Sequence, residues 1–155
     1  MRYSEISQQD YDSFHRLATA YYREGEDADT PQETLDSFIR FLFDKLTLGE
    51  IHGFFAKEGD APAGFALWAL DTENFAFSEM PGRGTILEIG FLPEYRGQGQ
   101  GGEFVRFLEE NLRKADIEQC YVCAYGPAQG FWTRRGYAPS GKIAANGLPI
   151  LIKSI

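Results

Sequence analysis

The chain has 155 residues, 43% of them hydrophobic and 15% aromatic, and a net charge of −8. That is apolar material for one compact domain, residues 1–155, around one core, and it excludes a wholly disordered chain. The negative charge argues against attraction to nucleic acid or to anionic lipid; a cationic partner is compatible with it, though solubility alone explains it in many proteins. No apolar run reaches the length a bilayer requires, and Met1-Arg2-Tyr3-Ser4-Glu5 lacks the basic-then-apolar layout of a signal peptide. Neither nucleic acid nor a membrane is therefore an expected partner, and the cytoplasm is the expected location.

Arg2 to Ile6 reads as a first strand. Ser7 is the expected cap of a helix that carries Tyr11, Phe14, Leu17, Ala18 and Tyr21 on one face. A polar loop, Arg23 to Asp29, follows. Thr30-Pro31-Gln32-Glu33 has the form of a capping box with proline at the first helical position, opening a helix with Leu35, Phe38, Ile39, Leu42 and Leu46 at helical spacing and Gly49 near its end. The period then shortens. His52 to Lys57 is a strand, Gly59-Asp60 a turn, and Gly64 to Leu70 a strand apolar on both faces. Asp71 to Arg83 is a long connection. Thr85 to Leu92 is a strand closed by Pro93, and Gly99 to Ala115 a helix with Phe104, Val105, Leu108, Leu112 and Ala115 inside. Gln119 to Tyr125 is a strand and Ala128 to Arg135 a short helix stopped by Gly136. Tyr137 to Pro139 and Leu148 to Ile152 close the sheet. The order β-α-α-β-β-β-α-β-α-β-β is that of an α/β fold: a single mixed, mostly antiparallel central sheet flanked by helices.

Cys120 and Cys123 form a C-x-x-C inside a strand, where residues three apart point to opposite faces. A redox pair belongs at a helix start, and a zinc site needs two more ligands, while His15 and His52 lie far away in sequence. Both cysteines are expected to be ordinary buried residues, and no metal is expected.

Chemistry concentrates at Arg96-Gly97-Gln98-Gly99-Gln100-Gly101-Gly102, between a strand and a helix. Glycine lets a backbone bend tightly and approach a ligand, and a helix start offers unpaired N–H groups, so the turn suits a phosphate, with Arg96 as an added positive charge. A standard P-loop is excluded because Glu103-Phe104, not Lys-Ser or Lys-Thr, follows the last glycine. Gly97-x-Gly99-x-x-Gly102 fits the dinucleotide fingerprint literally. Its acidic residue is misplaced, however: Asp116 and Glu118 precede the next strand, and Tyr125 ends it.

Phe91-Leu92-Pro93-Glu94-Tyr95-Arg96-Gly97-Gln98-Gly99-Gln100-Gly101 resembles the signature of the GNAT acetyltransferase superfamily, with Arg96, Gly99 and Gly101 at its defining positions. Ala128-x-x-Phe131-Trp132-x-x-x-Gly136-Tyr137 resembles the family's second phrase, and the element order matches over nearly the whole chain. The resemblance implies acetyl-CoA as cosubstrate and direct transfer of its acetyl group to a primary amine in a ternary complex. It implies that the amides of Gly97, Gln98, Gly99, Gln100, Gly101 and Gly102 hold the pyrophosphate. The ligand also meets Phe91, Leu92, Arg96 and Trp132, and the amide of Phe91 bonds the thioester carbonyl. The strands ending at Leu92 and Tyr125 are expected to splay and admit the pantetheine arm.

An amine must lose a proton to attack a thioester. Glu88 is the one charged residue between Thr85 and Leu92 and is the candidate base; the plainer reading pairs it with an Arg or Lys. The family frequently protonates the leaving thiolate with a tyrosine at the position held here by Trp132, whose indole is too weak an acid. Tyr125 is the substitute candidate, ahead of Tyr137. Arg134 and Arg135 are candidates to reach a coenzyme A phosphate or, more plainly, solvated charges at a helix end. The acidic loop Glu24-Gly25-Glu26-Asp27-Ala28-Asp29 would favour a small cationic acceptor, such as a polyamine or lysine, or is simply a solvated surface. A coenzyme A-binding sensor without catalysis is the alternative function, and a nicotinamide-dependent enzyme a third. Whether the chain forms a homodimer is left open.

Overall fold

The computed structural model describes residues 1–155. Its elements follow the apolar periodicity in the expected order: β1 (Arg2–Glu5), α1 (Tyr11–Glu24), α2 (Gln32–Thr47), β2 (His52–Glu58), β3 (Ala61–Leu70), β4 (Gly84–Phe91), α3 (Gln100–Lys114), β5 (Gln119–Cys123), α4 (Gln129–Thr133), β6 (Ala138–Ile143) and β7 (Pro149–Ser154). Short 3-10 turns cover Pro93–Tyr95 and Gly126–Ala128. The seven strands form one mixed sheet in the order β1-β2-β3-β4-β5-β7-β6. β1 runs antiparallel to β2, β5 and β6 both run antiparallel to β7, and β4 is parallel to β5. The parallel ladder registers only Gly84 with Cys120 and Thr85 with Tyr121, although both strands continue beyond that point.

Two helix starts differ from expectation. Ser7 does not cap α1. Its amide and hydroxyl both donate to the Asp10 carboxylate, at 2.8 and 3.0 Å, which closes a separate turn and delays the helix to Tyr11. The capping box at Thr30 does not form either. The Thr30 hydroxyl donates back to Asp27 at 2.9 Å, and Pro31 takes the cap position itself.

The backbone divides into two compact units, Met1–Leu67 with Glu88–Gly101, and Trp68–Leu87 with Gly102–Ile155. In the first, α1 and α2 meet through aromatic rings. Phe14 packs on Phe43 at 5.6 Å and edge-on to Phe65 of β3 at 5.7 Å, and Tyr11 meets Phe43 edge-on at 5.0 Å. α2 buries Leu35, Ile39, Leu42 and Leu46 as expected, but it turns Phe43 inward and leaves Phe38 38% exposed. α1 likewise buries Tyr22 more deeply than Tyr21.

In the second unit, α3 buries Phe104, Val105, Leu108 and Leu112 as expected, while Ala115 lies past its end and is exposed. It also buries Glu109, which no apolar pattern signals. Tyr137 Oη donates to that carboxylate at 2.9 Å and Lys153 Nζ pairs with it at 2.9 Å, which satisfies the charge. The long connection after β3 is cinched by Asp71, whose Oδ2 accepts from the amides of Glu79 and Met80 at 2.9 and 2.8 Å and from the Tyr121 hydroxyl. Cys120 is buried and Cys123 half-buried, so the expected burial of both holds fully for the first alone. Both are free, and burial pushes their thiols up to about 12 and about 11, away from thiolate chemistry at neutral pH.

The fit between α1 and β4 depends on Gly90. A Cβ there would come within 2.3 Å of Tyr21 Cδ1. Gly90→Ala should lower the unfolding free energy by about 1–3 kcal/mol, the usual cost of overpacking; urea denaturation at neutral pH measures it.

Candidate active site

Glu88 lies midway along β4, and its neighbours come from the end of α1. Tyr22 Oη donates to Glu88 Oε1 at 2.9 Å, and Tyr21 hydrogen bonds to the same carboxylate. Phe38 of α2 packs edge-on to Tyr22 at 5.6 Å, and Tyr21 edge-on to Tyr22 at 5.2 Å, so an aromatic wall holds both hydroxyls in place. No Arg or Lys pairs with Glu88 in the first unit, so the plainer expectation of an ion pair is not met there. Desolvation raises its pKa from the ordinary 4.5 to about 7; the two tyrosine bonds oppose the rise, and the charges of Glu26 and Asp27 add to it. Burial and the same carboxylate push the Tyr21 and Tyr22 hydroxyls far above their ordinary value, so both remain donors.

The end of β4 is shaped by a second glycine contact. A Cβ on Gly64 of β3 would meet the Gly90 carbonyl at 2.5 Å and the Phe91 ring at 2.7 Å. The Leu92 amide donates to the Ala63 carbonyl at 2.9 Å. Strand alternation then sends the N–H and C=O of Phe91 to the opposite edge. There the carbonyl accepts from Arg96 Nε at 2.8 Å. Arg96 also pairs with Glu24 at 2.7 Å, so its charge is held by two protein groups and does not stand free for a phosphate. Tyr21, Glu24, Gly90, Phe91, Leu92 and Arg96 line one small pocket.

The turn after Arg96 uses its glycines as the sequence suggests. Gly97 and Gly99 adopt φ of 78° and 79°, a left-handed conformation that L side chains rarely adopt, and no atom lies within 4 Å of where their Cβ atoms would be. Alternating left-handed residues turn successive N–H groups into a concave, anion-accepting backbone. Gln98 separates these two glycines, and Gln100, Gly101 and Gly102 begin α3. Gln100 Oε1 is buried with no partner.

The structure thus brings Glu88, Phe91, Leu92 and Arg96 together with residues of α1, in the first unit. Gly97 to Gly101 belong to the same unit, whereas Gly102, Tyr125 and Trp132 lie in the second. Trp132 is 6% exposed and packs edge-on against Tyr137 at 5.1 Å and Phe131 at 5.0 Å, which makes it an interior packing residue. Tyr137 commits its hydroxyl to Glu109. Tyr125 stands past the end of β5, not within it, and is 40% exposed. Tyr21 and Tyr22 were not singled out as site residues from sequence, and Glu24 was named only as part of the acidic loop. Consecutive tyrosines at a helix end were the available signal, but only the packing of α1 on β4 gives them a carboxylate to hold.

A strand, a glycine turn and a helix set in a mixed seven-stranded sheet form an architecture shared with acetyltransferases of known structure. PaiA N-acetyltransferase from Thermoplasma acidophilum, solved with coenzyme A, superposes with a TM-score of 0.74 at 16% identity over 100% of both chains. An acetyltransferase from Thermus thermophilus gives 0.76 at 16% identity over 100% of this chain and 98% of its own. A GNAT family acetyltransferase from Brucella melitensis, solved with acetyl-CoA, gives 0.70 at 17% identity over 99% and 87%. No curated protein sequence matches the chain. The model of the acetyltransferase (GNAT) family matches residues 11–137, and the chain belongs to that family.

Glu88 binds its proton more tightly when folded than when unfolded, so its contribution to stability is full below about pH 4.5 and is lost as pH rises through about 7. Glu88→Gln removes that loss. Relative to the native chain it should gain on the order of 2–3 kcal/mol at pH 8 and nothing near pH 4.5, as read from urea melts at the two pH values.

Proposed function

We propose that the protein transfers an acetyl group from acetyl-CoA to the primary amine of a small, cationic acceptor, by direct attack within a ternary complex. The observation that carries this reading is a carboxylate, Glu88, raised to about 7 in an aromatic seat on the strand that leads into the glycine turn. A base with that pKa is half ionised near neutral pH, where it accepts a proton with little penalty in either state.

The family membership and the relatives solved with coenzyme A or acetyl-CoA support the donor. The backbone from Gly97 to Gly102 fits a diphosphate through its left-handed glycines and the opening turn of α3.

Glu88 takes a proton from the acceptor's ammonium group. The nitrogen lone pair then attacks the thioester carbon, and the developing oxyanion is met by the Phe91 amide. The carbon–sulfur bond breaks, the thiolate takes a proton from Tyr125, and the second proton shed by the nitrogen as it becomes the amide restores the phenol through solvent. Among the tyrosines of the second unit, Tyr137 and Tyr121 already donate to Glu109 and Asp71, which leaves Tyr125 as the accessible phenol. The charges of Glu26 and Asp27 reach Glu88 and favour a cationic acceptor over a neutral or anionic one.

Steady-state acetylation across a panel of amines tests the whole reading. Spermidine or lysine should exceed neutral and acidic amines by about tenfold or more in kcat/KM; equal rates across the panel would remove the cationic preference. The native acid limb should fall near pH 7 and be absent in Glu88→Gln, whose activity drops about 10²–10⁴-fold. Tyr125→Phe should lower kcat by about tenfold or more while leaving the acid limb in place.

A further inference from the structure

The connection between α1 and α2 carries Glu24, Glu26, Asp27 and Asp29. Like charges this close repel one another and favour an open chain. Arg23, the residue before them, works against that. Its Nη1 donates to the Asp27 carbonyl at 2.9 Å and to the Thr30 carbonyl, with the Ala28 carbonyl at 3.4 Å, and its Nη2 donates to Gln32 Oε1 at 3.0 Å. One planar guanidinium thus gathers the far side of the loop onto the end of α1, which the point charge of a lysine could not do. Gln32 carries the connection further. Its Nε2 donates to the Asp36 carboxylate at 2.7 Å, which also meets His15 of α1 at 2.7 Å.

Arg23 spends its donors on carbonyls and an amide, so it steadies the loop without covering a carboxylate. Glu24 is taken by Arg96, whereas Glu26 and Asp27 have no Lys or Arg partner within this unit. The Thr30 hydroxyl fixes Asp27 Oδ1 at 2.9 Å, and the amides of Gly25 and Asp27 both donate to the Tyr22 carbonyl, at 3.1 and 3.3 Å. The two free carboxylates are therefore tied to the helix end that holds the Glu88 hydroxyl donors. The charges of both act on Glu88, that of Glu26 acts on Tyr21, and that of Asp27 acts on Tyr22. Tyr21 and Tyr22 of α1 and these two loop carboxylates are the titratable groups that face Glu88, and the Phe38 ring closes the side of α2.

We propose that Arg23 is a positioning residue for acceptor recognition: by knotting residues 27–32 it holds the carboxylates of Glu26 and Asp27 unpaired beside Glu88, where they seat a further ammonium group of the acceptor. This deepens the reading of a cationic amine as acceptor and rests on it. An ammonium group arriving there meets two charges already in place, so the loop need not be ordered at the binding step. Arg23 touches no substrate; it acts through the two carboxylates.

Initial rates with spermidine and with propylamine, which has no further ammonium group, are compared in the native chain, Arg23→Ala, Glu26→Gln/Asp27→Asn and the triple variant. Arg23→Ala should raise KM for spermidine about tenfold more than KM for propylamine. The carboxylate variant should do the same, and Arg23→Ala should add nothing in that background. A second readout needs neither substrate. Urea melts from pH 4.5 to 8, each set against the same variant carrying Glu88→Gln, give the pH at which the Glu88 contribution to stability is lost. That pH is about 7 in the native chain and should fall in Arg23→Ala, because the loop charges that raise it move away; removal of the arginine's own charge would raise it instead. A spermidine preference kept in Arg23→Ala, or a loss at an unchanged or higher pH, would overturn the role of Arg23 and leave acetyl transfer standing. Glu26 is exposed, so the carboxylate variant decides the matter if Arg23→Ala does not fold: a preference that survives in it overturns the site equally. Transfer to neither amine by the native chain would overturn the acetyl-transfer reading itself, while the melts still decide whether Arg23 holds the loop.

Discussion

In the first unit, the seating of α1 against β4 organises everything around Glu88. A helix can come this close to a strand only where the strand has no side chain, and Gly90 supplies that gap for the ring of Tyr21. Two residues back along β4, on the same face, stands Glu88, and the next residue of α1, Tyr22, meets it with its hydroxyl. One backbone contact therefore decides where a carboxylate stands and how far it is removed from water. The aromatic packing of Phe38, Tyr21 and Tyr22 holds that arrangement from the side.

Desolvation and hydrogen bonding act on Glu88 with opposite signs, and the desolvation wins. A carboxylate with only tyrosine donors keeps its hydrogen bonds in both protonation states, whereas the cost of its charge in a poorly hydrated place falls on the ionised form alone. An arginine in the same position would have reversed the balance. Arg96, a cation of the same unit, is held instead by Glu24 and the Phe91 carbonyl, which anchors the start of the glycine turn to the last turn of α1.

The second unit handles its buried charge differently. Glu109 and Asp71 are both almost inaccessible, yet each has a tyrosine hydroxyl on it, with Lys153 completing the first and two backbone amides the second. These bonds are structural commitments. They tie β7 and Tyr137 to α3, and β5 to the connection after β3, and they remove Tyr121 and Tyr137 from the set of available acids.

Much of the fold was legible because apolar spacing is set by helix and strand geometry, so the order of elements and the buried faces of α3 and β3 could be read along the chain. The glycine turn was legible for a similar reason: Gly97 and Gly99 are needed for a local backbone conformation, and local demands are written in local sequence. Helix starts were less so, because Ser7 and Thr30 had other partners within four residues that competed for the same hydroxyls. What only the tertiary structure decided were the partners that meet across distant segments. The tyrosines on Glu88, the Glu24 carboxylate on Arg96, the burial of Glu109 and the inward turn of Trp132 all depend on which faces pack together. A side chain's pKa and its free hydrogen-bonding capacity are properties of its surroundings, and those surroundings are assembled from residues up to 66 positions apart.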